Sequence, residues 1–107
     1  MAMTGVRETG YWCEATAHTT AAHPVLHLGG RLTSSPRLAV RWLRDRVRDV
    51  TDQLDRHYAA PGRHWVLDEP EHEQARSALA QGEAYVFRLC DDTTCYMLSA
   101  RPTGRTQ

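Results

Sequence analysis

Lysine, asparagine and isoleucine are absent from the chain, and phenylalanine occurs once. Without lysine there is no Schiff-base lysine, no phosphate-loop lysine and no serine–lysine dyad. Without asparagine there is no N-glycosylation site and no Asn-Gly hairpin turn. Long apolar runs are missing as well. Met1–Gly10 holds none and reads as no secretory leader, and no stretch approaches the length of a membrane span. Three cysteines make an odd set. With no leader, the expectation is a cytoplasmic protein with reduced thiols and no disulfide framework.

All 13 basic side chains are arginine, balanced by 13 acidic ones. An arginine-only basic set matches GC-rich coding and suggests a bacterial chain. Leu, Val and Phe together fall below a fifth of the residues, but net charge is zero and the apolar positions are periodic. The expectation is one folded domain over 1–107 with a modest core and flexible ends at 1–9 and 101–107.

Residues 10–16 alternate as a strand, and Val25–Leu28 forms a second, broken or bulged at Gly29-Gly30 before 31–33. Ser35 is an N-cap with Pro36 at the first helical position. Val40, Leu43, Val47, Val50, Leu54 and Tyr58 then mark one apolar stripe, which predicts a helix to about Tyr58, stopped by Pro61-Gly62. Arg63–Leu67 reads as a short strand or connector. Asp68 with Glu71 and Pro70 opens a second helix, and Gly82 closes it. Tyr85–Cys90 folds against Cys95–Ala100, pairing Cys90 with Cys95, Leu89 with Tyr96 and Phe87 with Leu98. The expected fold class is α+β: an antiparallel sheet of two hairpins, in the order β-β-α-(β)-α-β-β, with one long and one short helix packed on one face.

Three features carry functional weight. Cys13, Cys90 and Cys95 with a histidine such as His23 are zinc-ligand types, but none of the spacings is a usual zinc pair, so no cofactor is expected. Arg37, Arg41, Arg44 and Arg48 share one face of the long helix, while Asp49, Asp52 and Asp55 crowd its far end. That order opposes the helix dipole and suits an interface or an anion. Trp42 falls off the apolar stripe, where it could anchor a protein contact or lie beneath a neighbouring segment. The favoured class is a small binding or accessory protein acting through protein contacts, expected as a homodimer, with no catalytic set and no membrane. The alternatives are a small enzyme of bacterial secondary metabolism, metal-dependent or not, and a nucleic-acid-binding protein using the arginine helix.

Overall fold

Tyr11, Cys13, Ala15 and Ala17 alternate with Trp12, Glu14, Thr16 and His18, and the first set is buried while the second is only partly covered. This period of two makes a strand with one face in the core. The computed structural model describes residues 10–19 and 25–103. Their elements are β1 (Tyr11–Thr19), β2 (Leu26–Thr33), α1 (Pro36–Thr51), α2 (Arg56–Val66), α3 (Glu69–Ala80), β3 (Tyr85–Cys90) and β4 (Thr94–Pro102). The strands form one antiparallel sheet in the order β2-β1-β4-β3. The architecture is α+β, as expected.

The last hairpin has the register read from its alternation, with Cys90 opposite Cys95, Leu89 opposite Tyr96 and Phe87 opposite Leu98. Leu89, Leu98 and Ala100 are buried, while Tyr85, Phe87 and Tyr96 pack half-buried against the core. The Asp91 carboxylate accepts from the backbone N–H groups of Thr93 and Thr94, which closes the turn and holds that carboxyl below its ordinary range. The strand continues through Arg101 and Pro102, which pair with Trp12 and Tyr11, so the expected fraying from 101 is overturned there. In the first hairpin the register shifts between Ala15 and Thr16, leaving Leu28 as the extra residue of a bulge before Gly29-Gly30.

Both capped helix starts are present. Ser35 Oγ accepts from the Leu38 N–H at 3.1 Å, and an Asp68 carboxylate oxygen accepts from the Glu71 N–H at 3.2 Å. At the end of α3, Glu83 N–H bonds Ala78 O and Gly82 N–H bonds Leu79 O, with Gly82 at φ +91°, a Schellman closure that favours glycine.

The long helix is shorter than its stripe. Val40, Leu43, Val47 and Val50 are buried along α1, but the helix stops at Thr51, whose hydroxyl donates to Arg48 O. After the turn at Asp52–Leu54 a separate helix, α2, runs through Pro61 and Gly62 to Val66. The segment expected as a helix stop followed by a strand or connector is therefore helical. Proline in a helix interior costs roughly 3 kcal/mol. Tertiary packing offsets that cost: Ala59 and Trp65 are buried, and Gly62 lies close against Thr51. Trp65 stacks on Phe87 at 5.1 Å and donates its indole N–H to the Tyr85 hydroxyl at 2.8 Å. Tyr85 in turn donates to Glu71 at 2.7 Å. Burial, then the Glu71 hydrogen bond, push the Tyr85 pKa upward.

All three helices lie on the sheet face formed by Cys13, Ala15, Leu89, Leu98 and Ala100. The opposite face, with Trp12, Glu14, Thr16 and Met97, has no helix over it among the described residues. No described helix is long and apolar enough to cross a membrane.

Candidate anion-binding cleft

Spacing of three and four residues puts Arg37, Arg41 and Arg44 on one flank of α1. Packing of α1 against α3 then sets His72 and Arg76, four positions apart on α3, opposite them. The result is a polar cleft of about 250 Å³ lined by Arg37, Val40, Arg41, Arg44, His72 and Arg76.

His72 is 1% exposed, and its Nε2 lies 2.7 Å from Trp65 O. A carbonyl oxygen only accepts, so Nε2 carries a proton and Nδ1 faces the cleft side, 3.7 Å from Glu69 Oε2. Glu69 also lies 3.9 Å from Arg44 and 4.0 Å from Arg76. These separations exceed hydrogen-bonding distance, and the Glu69 side chain is 67% exposed, so its hold on the cluster is weak. Glu73 pairs with Arg76. Arg37 and Arg41 have no ion-pair partner among the described residues. The Arg44 Nε–H is shut off from solvent without a hydrogen-bond partner, as is that of Arg46 on the other flank of the helix. Four guanidinium groups thus face one recess against two carboxylates, in a chain whose net charge is zero. The excess is local, and screening confines its reach to about 8 Å at physiological salt.

This arrangement can bind an oxyanion through planar, forked donors. The cleft lining contains no hydroxyl or thiol that could act as a nucleophile.

The other residues singled out in the sequence lie elsewhere. Arg48, one turn beyond Arg44, turns to Asp45 at 3.5 Å and does not line the cleft. Trp42 lies on the opposite flank of α1, half-buried against the core, with the Arg46 guanidinium 5.6 Å from its ring centroid. Cys13 is buried beneath α1 on the helix side of the sheet, where burial raises its thiol pKa. Cys90 and Cys95, expected as reduced thiols, are joined by a disulfide on the other side of the sheet. The three sulfurs do not converge, and no group of three or more metal-ligating side chains occurs among the described residues. His23 lies outside the described residues.

His72, Arg76 and Glu69 were not singled out as site residues from sequence. The available signal was the i, i+4 spacing of His72 and Arg76, which puts both on one face of α3. A larger recess of about 640 Å³ lies on the Trp42 flank between α1 and β2, lined by residues including Arg31, Leu32 and Leu38. It gathers no comparable cluster of like charge and is the weaker candidate for a charged ligand. Comparison with family models, curated proteins and solved structures finds no match for this chain.

Proposed function

We propose that the chain is a non-catalytic binding protein that engages an acidic segment of a partner protein through the α1–α3 cleft. One observation carries the reading: Arg37, Arg41, Arg44 and Arg76 line a single recess, and two of them have no ion-pair partner among the described residues. Carboxylate side chains suit this recess better than a nucleic-acid backbone does. The basic area is short: Arg48, the next arginine along α1, is turned to Asp45, and Glu73 pairs with Arg76 at the α3 side. No Phe, Tyr or Trp lines the cleft for base stacking, and the His72 ring is buried. Glu69 occupies the position a partner carboxylate would take and, being exposed and loosely held, can yield it.

The test is calorimetric titration with oligoglutamate and with single-stranded DNA at about 50 and 200 mM salt. Oligoglutamate should bind wild type, and Arg41→Glu with Arg76→Glu should weaken it at least tenfold, since each charge-assisted hydrogen bond is worth about 1.5–3 kcal/mol. Arg88→Glu, on the helix-free sheet face, should leave binding unchanged. Absence of oligoglutamate binding, or equal binding by the double variant, overturns the reading. DNA binding tighter than oligoglutamate replaces it with a nucleic-acid function.

A further inference from the structure

Three side chains form a row across one end of the helix-free sheet face. His18 of β1 stands opposite Cys95 of β4, and Cys95 stands opposite Cys90 of β3, to which it is bonded. Directly opposed antiparallel residues bring their Cβ atoms to about 4.5–5.5 Å, so the imidazole lies beside the sulfur bridge. Arg88, two positions before Cys90 on the same face, is exposed and is the diagonal neighbour of Cys95. Neither His18 nor Arg88 has an ion-pair partner among the described residues. The nearest acids in sequence are Asp91 and Asp92 in the turn, and the Asp91 carboxylate is already held by the Thr93 and Thr94 N–H groups. The bridge is a poor staple. A disulfide stabilises chiefly by closing a loop in the unfolded chain, and its effect grows with the length of that loop. Here the cysteines are five positions apart, and the strand ladder with the Asp91 N–H bond to Thr94 O fixes the hairpin without them. The two sulfurs therefore stay opposed after reduction, ready to rejoin. Both cysteines are also partly exposed, whereas Cys13 is sealed in the core.

We propose that the Cys90–Cys95 pair is a reversible thiol–disulfide exchange site whose reductant is a small thiol. Strand β3 is the sheet edge, so the side of Cys90 away from Cys95 meets no further described strand, whereas Cys95 is flanked by β1. The thiolate of the small thiol attacks Cys90 Sγ and forms a mixed disulfide with it. The Cys90–Cys95 bond breaks, and its electron pair leaves on Cys95. An imidazole N–H and a guanidinium beside a sulfur both favour its thiolate, which makes Cys95 the better leaving group. A second small thiol then attacks the outer sulfur of the mixed disulfide and releases Cys90. Two small thiols become one small disulfide, and the protein gains the two electrons and two protons as a pair of thiols. A small disulfide drives the same steps backwards. The site lies across the sheet from the arginine cleft and does not rest on anion binding there.

The test treats the native full chain with reduced glutathione and traps free thiols with iodoacetamide for peptide mass spectrometry. Cys90 and Cys95 should both become alkylated while far-ultraviolet circular dichroism stays native and Cys13 stays blocked. Glutathione disulfide should restore the bridge. Two single variants then assign the roles of the sulfurs. The Cys95 thiol of Cys90→Ser should react with an aromatic disulfide reagent at least about threefold faster than the Cys90 thiol of Cys95→Ser, the net of a larger thiolate fraction and a weaker nucleophile. Adding His18→Gln and Arg88→Gln to both should erase that difference without changing the circular dichroism. A bridge that glutathione opens only when the chain unfolds overturns the proposal, including the case in which a protein dithiol alone opens it. Equal or reversed rates for the two single thiols overturn the assignment of Cys95 as the leaving sulfur, and so does a difference that survives loss of His18 and Arg88.

Discussion

Gly62→Ala sets two well-measured effects against each other at a single atom. In an ordinary helix interior the change stabilises, since alanine exceeds glycine in helix propensity by about 1 kcal/mol. Here the new Cβ would be driven far inside contact distance of the Thr51 Cγ2 methyl and would lie 3.1 Å from Leu89 Cδ2. Thr51 is 2% exposed, and its hydroxyl is held to Arg48 O at 2.9 Å, so it cannot easily rotate away. Overpacking of this kind costs about 1–3 kcal/mol. The expected net effect is therefore a loss of up to about 2 kcal/mol, or up to about 10 °C in Tm for a domain of this size. Thr51→Ser removes the obstructing methyl and keeps the hydroxyl. The double variant should recover most of the loss, giving a favourable coupling of at least about 1 kcal/mol in a denaturant double-mutant cycle. A Gly62→Ala protein more stable than wild type, or a loss that Thr51→Ser does not relieve, would refute the packing described for α2.

Tyr85→Phe strands the Trp65 indole N–H and the Glu71 carboxylate together, and should cost about 1–2 kcal/mol in urea denaturation. The same tyrosine fixes a pH effect. Its folded-state pKa is raised, so the folded chain keeps a proton that the unfolded chain loses. Stability should be full below the ordinary tyrosine value near 10 and fall as pH rises above it, and Tyr85→Phe should flatten that fall. Removing the disulfide with Cys90→Ser and Cys95→Ser should cost no more than about 2 kcal/mol, because the cysteines are only five positions apart and close a short loop. Thiol titration should find Cys13 unreactive in the native protein and available only after unfolding, given its complete burial. Leu43→Ala, at a fully buried position on the core face of α1, should cost about 2–5 kcal/mol by calorimetry.

What was legible in the sequence was what a local period can encode. Val40 to Val50 spelled the buried face of α1, and strict alternation from Tyr85 to Ala100 gave the last hairpin and its register. The stripe misled at Leu54 and Tyr58, because helical spacing persisted across a break that the sequence punctuates only with Asp52 and Gln53. Pro61-Gly62 misled in the other direction. Both are local helix breakers, and only packing against Thr51 and β3 explains why α2 runs through them. The cleft was half legible: α1 advertises its arginines, but no local pattern says that α3 lies beside them. The disulfide was missed for a different reason. Alternation sets Cys90 opposite Cys95, but whether the two sulfurs are joined depends on geometry and redox surroundings that no local pattern encodes.

The order of the strands also bears on how the chain closes. The central pair of the sheet joins β1 to β4, so Tyr11 lies opposite Pro102 although roughly 90 positions separate them, a highly non-local contact. Each outer strand reaches its neighbour through a local hairpin, but the two hairpins meet only after the intervening helices have been laid down. Loop closure across that interval makes the joining of hairpin to hairpin the slow event, with helices and hairpins forming ahead of it. The Thr103 N–H donates to Gly10 O at 2.8 Å, so the first and last described residues lie side by side and the backbone is nearly a ring. A permuted chain that links these neighbours and opens at the turn between β3 and β4 would make the central pairing local and the β3–β4 pairing the long-range one, which moves the last docking event from the middle of the sheet to its edge.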